Sequence, residues 1–310
     1  MVSLIDRVQG MFYGHALGDA LGAPHEFRSS HALVYTGKLI HPMRYLSRHV
    51  PEEVFPPGST TDDTAMTITL LESILRMGGK YCREDVILSY INWANATRWL
   101  GNNTRALFKG IKTVAGFEKR HLKIATQSEK CCSNGSLMRA LPLALISNLE
   151  VASYDAWLSN PNDVNIEANM VYITAVQAAL AGLSKEQIWE RIVSLPLESP
   201  PIQEVLHQIS FRQDRNVVIK KGYVAHALWC ALRGLYYFDD YTTAINWIVT
   251  FQPGSDTDTN AAITGGLLGA YYGYSVLMET QEENLLIMSR CGGIFSRYIE
   301  LLPALYQFFT

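Results

Sequence analysis

Gly254-Ser255-Asp256-Thr257-Asp258-Thr259, followed by Asn260-Ala261-Ala262-Ile263-Thr264-Gly265-Gly266-Leu267-Leu268-Gly269, is a turn, an acidic cluster and an apolar run in immediate succession. From Ala261 to Met278 there is no charged residue, which meets the minimum length of a membrane span. Gly265, Gly266, Gly269 and Gly273, with Thr264 and Ser275, dilute the hydrophobicity and suit a helix that its neighbours approach closely. The stretch therefore predicts a buried central helix in a protein with no membrane partner, with carboxylates at the N-terminal end of that helix.

A second stretch repeats the arrangement. Gly58-Ser59-Thr60 precedes Thr61-Asp62-Asp63-Thr64, and Met66, Leu70, Leu71, Ile74 and Leu75 then mark one helical face. Acids in a first helical turn gain about 0.3 to 1 kcal/mol each from the dipole, so capping explains this cluster alone as well as ligation does. Capping needs one acceptor, however, whereas the two clusters each supply a carboxylate pair and a threonine. That is the all-oxygen set taken by Mg²⁺ or Mn²⁺, and like charges gathered in one volume call for a cation. Zinc would want His or Cys, which neither cluster has. An EF-hand is excluded, because its glycine and glutamate positions counted from Asp256 hold Ala261 and Leu267.

Outward from these clusters, apolar residues recur at three- and four-residue steps, as in Leu4, Val8, Met11, Phe12 and in Ile87, Tyr90, Ile91, Ala94. Ser184-x-x-Gln187 reads as a capping box, and Thr242-Thr243 precedes another periodic run. Alternating strand patterns are scarce. The expected fold class is all-α, as one large domain over residues 1–310. Pro51, Pro56-Pro57-Gly58, Pro196 and Pro200-Pro201 punctuate without a linker. The weakly periodic segment from Arg28 to Gly58 is expected to be an extended surface loop or lid.

Composition narrows the function classes. The 310 residues are 48% hydrophobic and 18% charged, which suits one large core. The net charge of −3 and the absence of a Lys/Arg stripe along the chain do not indicate nucleic acid. Cys82, Cys131, Cys132, Cys230 and Cys291 are odd in number and include no C-x-x-C pair, so reduced thiols in a cytoplasmic protein are expected. Met1 to Arg7 shows no basic leader followed by an apolar core, so a signal peptide is not expected.

Four other segments bear on a site. Gly14-x-x-x-Gly18-x-x-x-Gly22 makes a flat helical face for close packing, with Asp19 either an isolated buried acid or a support for the metals. Glu26 follows as a catalytic acid or base. Gly101-Asn102-Asn103-Thr104-Arg105 and Asn134-Gly135-Ser136-Leu137-Met138-Arg139 place small polar residues where helices are expected to begin, as phosphate sites do and ordinary junctions also do. His226, on the apolar face of Gly222 to Trp229, reads as a packed histidine.

Together, Gly18-Asp19-Ala20-Leu21-Gly22-Ala23-Pro24-x-Glu26, Thr61-Asp62-Asp63-Thr64, Asn134-Gly135-Ser136-x-Met138-Arg139 and Gly254-Ser255-Asp256-Thr257-Asp258-Thr259 resemble, in the same order, the motifs of the ADP-ribosylglycohydrolase family. The resemblance spans nearly the whole chain and implies a single large orthogonal helical domain with a dinuclear metal site in a central cleft, a hydrolase using two divalent cations, Mg²⁺ or Mn²⁺. It implies Thr61, Asp62, Asp63, Asp256, Asp258 and Thr259 as metal ligands. Gly101, Asn102, Asn103, Thr104, Asn134, Gly135, Ser136 and Tyr223 would line an ADP-ribose site, with Glu26 and Asp63 as catalytic carboxylates. The substrate implied is an ADP-ribosylated protein, arginine-linked first, or ADP-ribose itself. Alternatives within the resemblance are a non-catalytic ADP-ribose-binding or crystallin-like relative, or a hydrolase of O-acetyl-ADP-ribose, poly(ADP-ribose) or modified nucleic acid. Leu100 stands where some members have an aspartate, which leaves the general base open, and Leu158-Ser159-Asn160-Pro161-Asn162 replaces a histidine-containing segment.

Overall fold

The apolar run after Asp258 forms a helix whose residues from Thr257 to Ala270 are all buried, and the other elements are arranged around it. The structure is a computed structural model and describes residues 2–28, 33–47, 50–98, 100–125, 132–212, 222–251, 255–292 and 294–306. Cys131 and Gly254, named above, lie outside the described residues.

In chain order the elements are α1 (Leu4–Gly22), β1 (Met43–Ser47), β2 (Val50–Phe55), α2 (Asp62–Arg76), α3 (Arg83–Ala96), α4 (Asn102–Phe108), α5 (Val114–Ala125), α6 (Glu150–Ser159) and α7 (Asp163–Leu180). They continue as α8 (Lys185–Val193), α9 (Pro200–Ser210), α10 (Val224–Tyr237), α11 (Tyr241–Phe251), α12 (Thr257–Tyr272), α13 (Tyr274–Cys291) and α14 (Ile294–Tyr306). The fold is all-α, as the periodicity predicts. The long uncharged run is not one helix: Gly273, at φ 92°, ends α12 and starts α13. Among the described residues, no helix is long and apolar enough to cross a membrane.

α1 and α12 pack antiparallel with their backbones in contact. A Cβ placed on Gly10, Gly14, Gly18 or Gly22 would run into the backbone of α12 at Gly269, Gly265, Ala261 or Thr257 respectively. Four-residue steps on one helix thus match four-residue steps on the other, and only glycine allows so close an approach. Hydrogen bonds fix the register: Tyr241 donates to the Gly14 carbonyl at 2.7 Å, and Thr257 Oγ1 donates to the Gly22 carbonyl at 2.9 Å. The consequence for function is positional. The C-terminal end of α1, with Asp19 and Glu26, is delivered to the N-terminal end of α12, where the acids stand.

The Ser184 capping box is present as expected, with Gln187 completing it. α11 begins at Tyr241, and Asp240 rather than Thr242-Thr243 caps it, accepting from the Thr243 N–H at 2.7 Å. The described part of the Arg28 to Gly58 segment has more regular structure than its periodicity suggests. It contains the antiparallel hairpin β1–β2, with Met43 opposite Phe55 and Tyr45 opposite Glu53, and buries Leu39 and Met43. A short hairpin with a register shift between Tyr45 and Ser47 leaves little alternation to read from the sequence. His226 is 3% exposed and stacks on Trp229, as a packed histidine does.

Candidate metal centre and active site

Three chain segments bring carboxylates to one place. The first is the N-terminus of α2. Thr61 is the N-cap and accepts from the Asp63 N–H at 3.3 Å. Asp19, fully buried on α1, accepts from the Thr61 N–H at 3.0 Å, the Thr64 N–H at 3.2 Å and the Thr64 hydroxyl at 2.5 Å. Capping of this helix is therefore done by Thr61 and Asp19, and Asp62 and Asp63 are not needed for it. Asp62 accepts from the Gly101 N–H at 3.3 Å, while Asp63 Oδ1 is buried with no hydrogen-bond partner among the described residues.

The second segment is the start of α12. Asp256 occupies the N-cap position, yet its side chain makes no capping hydrogen bond. Instead Asp256 Oδ2 accepts from Asn134 Nδ2 at 2.9 Å. Asp258 is 4% exposed, and its Oδ1 is buried without a hydrogen-bond partner, like that of Asp63. Glu26, just past α1, is the third. One carboxylate oxygen from each of Glu26, Asp256 and Asp258 lies within 4.8 Å of the others, a donor set that can hold a metal ion.

Burial and repulsion raise the proton affinity of Glu26, Asp62, Asp63 and Asp258. Glu26 is pushed well above the ordinary carboxylate range by burial, then by Asp256, Asp62 and Asp19. Asp63 is raised by burial, then by Asp19, Asp62 and Asp256, against a smaller opposing effect of the Thr259 hydroxyl. Asp258 is raised by burial, then by Glu26, Asp256 and Asp63. Asp62 is pushed up to about 6, chiefly by burial. The clusters around Asp63 and Asp258 thus repel one another across the same small volume. Orphaned oxygens on Asp63 and Asp258, an all-carboxylate and hydroxyl set, and repulsion with no protein cation in the set fit a hard divalent ion.

Beside the acids lie the loops singled out in the sequence. Gly101 is the N-cap of α4, as expected; Asn102 is exposed, Thr104 is buried, and the Asn103 amide donates to the Ser159 carbonyl at 2.7 Å. Asn134–Ser136 is a 3-10 turn and not the start of an α-helix, and a second 3-10 turn, Leu141–Leu145 with Pro142 at its start, follows. Asn134 pairs with Gly222 through its N–H, 2.9 Å from the Gly222 carbonyl, so Tyr223 at the N-cap of α10 is adjacent. Ser136 is fully buried and receives the amides of Asn165 and Asn169 at 2.8 and 3.0 Å.

A family model described as ADP-ribosylglycohydrolase matches residues 1–287. The chain belongs to the ADP-ribosylglycohydrolase family. Members are hydrolases acting on glycosyl bonds. This ADP-ribosylglycohydrolase is 28% identical over 279 residues to the ADP-ribosyl-dinitrogen reductase glycohydrolase of Rhodospirillum rubrum, covering 87% of each chain. It is 23% identical over 317 residues to the ADP-ribosylarginine hydrolase Tri1 of Serratia proteamaculans, covering 96% of this chain and 80% of the relative. A solved structure described as an ADP-ribosylglycohydrolase-related protein complex superposes with a TM-score of 0.65 at 25% identity, over 94% of this chain and 99% of that one.

Two features of this family member were not read from its sequence. Glu26 shares a volume with Asp256 and Asp258, because the register of α1 on α12 sets its place and no local pattern does. The second is a buried ion pair. Arg139 and Asp155, at 0% and 1% side-chain exposure, meet at 2.9 Å, and Arg139 also donates to the Gly135 carbonyl at 2.7 Å and Ser159 Oγ at 2.8 Å. The pair ties the 134–136 turn to the end of α6. A lone acid in the apolar stretch Val151 to Leu158 was the available signal.

Proposed function

We propose that residues 1–310 act as one domain that hydrolyses the glycosidic bond between ADP-ribose and a protein side chain, arginine first, reversing mono-ADP-ribosylation. The observation that supports this best is the convergence of Glu26, Asp256 and Asp258 within 4.8 Å, beside the orphaned oxygens of Asp63 and Asp258. The arginine linkage rests on the printed name of the Serratia relative. The residues proposed to hold two divalent cations, Mg²⁺ or Mn²⁺, are Thr61, Asp62, Asp63, Asp256, Asp258 and Thr259. Bound there, the cations would supply a template for ribose hydroxyls and stabilisation of developing negative charge.

The chain's own residues divide the remaining work. Exposed Gly101 and Asn102 and partly exposed Gly135 and Tyr223 are proposed to contact ADP-ribose; Asn103, Thr104, Asn134 and Ser136 are proposed to hold the shape of that wall. Fixing the sugar against the carboxylates converts the attack of water into a positioned reaction. Water adds its oxygen to the anomeric carbon as the bond to the side-chain nitrogen breaks, and the proton passes to the leaving nitrogen. Glu26 is the proposed proton carrier: burial of its carboxyl, and then its acidic neighbours, favour the protonated form, while part of the residue still reaches the surface. Asp63, 2% exposed, is proposed to act chiefly as a ligand. No disulfide joins the described cysteines, which suits a reducing cytoplasmic compartment.

The deciding experiment is release of ADP-ribose from arginine-linked, serine-linked and nucleic-acid-linked substrates, with Mg²⁺ and with chelator. Cleavage of the arginine linkage in Mg²⁺ alone is expected. Binding of ADP-ribose without release from any substrate would make the protein a reader and overturn the hydrolase reading.

A further inference from the structure

We propose that the surface of α4 and α5 is a docking face for an acidic stretch on the acceptor protein that carries the ADP-ribosyl group. The proposal rests on the hydrolase reading for the identity of its partner. Between Arg98 and Lys123 the sequence holds seven lysines and arginines and one glutamate, in a protein whose net charge is −3. No stripe is visible along the chain, because the cations are dispersed over the end of α3, α4, the following turn and α5.

Folding gathers them. The Arg105 guanidinium donates to the Arg98 carbonyl at 2.9 Å, and that of Arg120 donates to the Lys109 carbonyl at 2.7 Å. Lys109 Nζ donates to the carbonyls of Ala94 and Thr97 at 2.8 and 2.7 Å, at the C-terminal end of α3. Lys109, Arg105 and Arg120 thus each donate to neutral carbonyls, which position the charges without cancelling them, and the Arg105 Nε is left without a partner among the described residues. Among the described residues, two neighbouring acids are already engaged: Glu118 pairs with Arg83, and Glu53 lies 3.6 Å from Arg98. Lys112 and Lys119 are exposed.

The patch begins next to the candidate site, where the Gly101 N–H donates to Asp62, and α5 adds 12 residues, about 18 Å at the usual helical rise. A helix of that length spreads its cations over more surface than one diphosphate covers, which suits a longer anionic partner. Leu122, 71% exposed amid them, gives an apolar contact suited to a protein face. Glu118 and Glu53 interleaved with the cations, and a net charge of −3, disfavour a long phosphate backbone and leave a short acidic loop as the occupant. Such a field sets the rate of encounter and the choice among acceptors, and weakens with salt.

The test uses full-length protein and two labelled peptides, each bearing one ADP-ribosyl-arginine, flanked by Asp/Glu in one and by Ser/Gly in the other. Unmodified versions of both and a single-stranded oligonucleotide serve as further probes, all read by fluorescence anisotropy. The acidic peptide is expected to bind about tenfold tighter at low ionic strength, with the preference lost at high salt and in Lys112→Glu/Lys119→Glu. The unmodified acidic peptide should show the same preference over its neutral counterpart, which tests the surface without the ADP-ribose site. Equal affinity for acidic and neutral peptides, a preference untouched by the double substitution, or tighter binding of the oligonucleotide overturns the proposal. Absence of ADP-ribose release with the preference intact would count against the hydrolase reading and leave the docking face standing.

Discussion

Asp19 on α1 accepts the Thr64 hydroxyl at 2.5 Å, so a carboxylate from the first helix caps the helix that displays Asp62 and Asp63. Asp19 thereby aims two acids it does not itself touch with a hydrogen bond. Asp19→Ala would leave the buried Thr64 N–H without its acceptor, at a cost of about 1–3 kcal/mol. Asp19→Asn keeps the shape and one acceptor; the expected result is a folded protein whose Mn²⁺ affinity falls about tenfold or more. Chemical denaturation and metal titration of both variants check this, and unchanged metal affinity in Asp19→Asn would remove the positioning role.

Gly18 faces the Ala261 carbonyl with no room for a side chain, because both neighbours of the contact are helix backbone. Gly18→Ala should therefore destabilise by about 3 kcal/mol, at the upper end of ordinary overpacking. Gly110→Ala, with φ 77° but nothing within 4 Å of the added carbon, should cost about 1 kcal/mol. Urea unfolding of the pair measures the contrast. Equal losses would mean that the contact between α1 and α12 is looser than described.

Asp258→Asn removes a charge from a group of acids that repel one another. Without metal the variant should be more stable than the parent by about 1–2 kcal/mol, since the neutral amide is spared that repulsion. With divalent ion the order should reverse, because the parent gains binding energy and the variant does not. Thermal melts in chelator and in excess Mn²⁺ give both comparisons. A less stable variant in chelator would show that Asp258 serves the fold and not a ligand.

The sequence was informative where chemistry is local and silent where register decides. The acid clusters, the glycine steps of α1 and the Ser184 capping box could be read directly, because each is a short pattern with one physical meaning. Whether Asp63 caps its helix was undecidable from spacing. Thr61 and Asp19 do the capping of α2, and Asp19 reaches α2 through the fold. The β1–β2 hairpin escaped notice because its strands are short and irregular. The place of Glu26 beside Asp256 follows from backbone contact between α1 and α12, which no window of residues displays.

A pH prediction follows from the raised carboxyls. Burial pushes Asp19 and Asp62 up to about 6. A group with a raised folded pKa favours folding below its unfolded value, near 4, and that contribution is lost as pH rises through about 6. The metal-free protein should accordingly lose stability from these groups between about pH 4 and 6 and gain more from added Mn²⁺ at pH 8 than at pH 5. His15, lowered to about 4 by burial, acts in the opposite sense, costing stability as pH falls below about 6.5. Its contribution is common to both states and cancels in the difference between melts with and without metal. A metal-induced shift in Tm that does not grow with pH would falsify the assignment of these acids to a cation site.

Titration calorimetry of the metal-free protein with Mn²⁺ tests most directly whether acids from distant parts of the chain meet around divalent ions. The account predicts two bound ions per chain in the parent, with binding lost or reduced to one in both Asp63→Ala and Asp258→Ala. No heat of binding in the parent, or two ions retained in both variants, would contradict it.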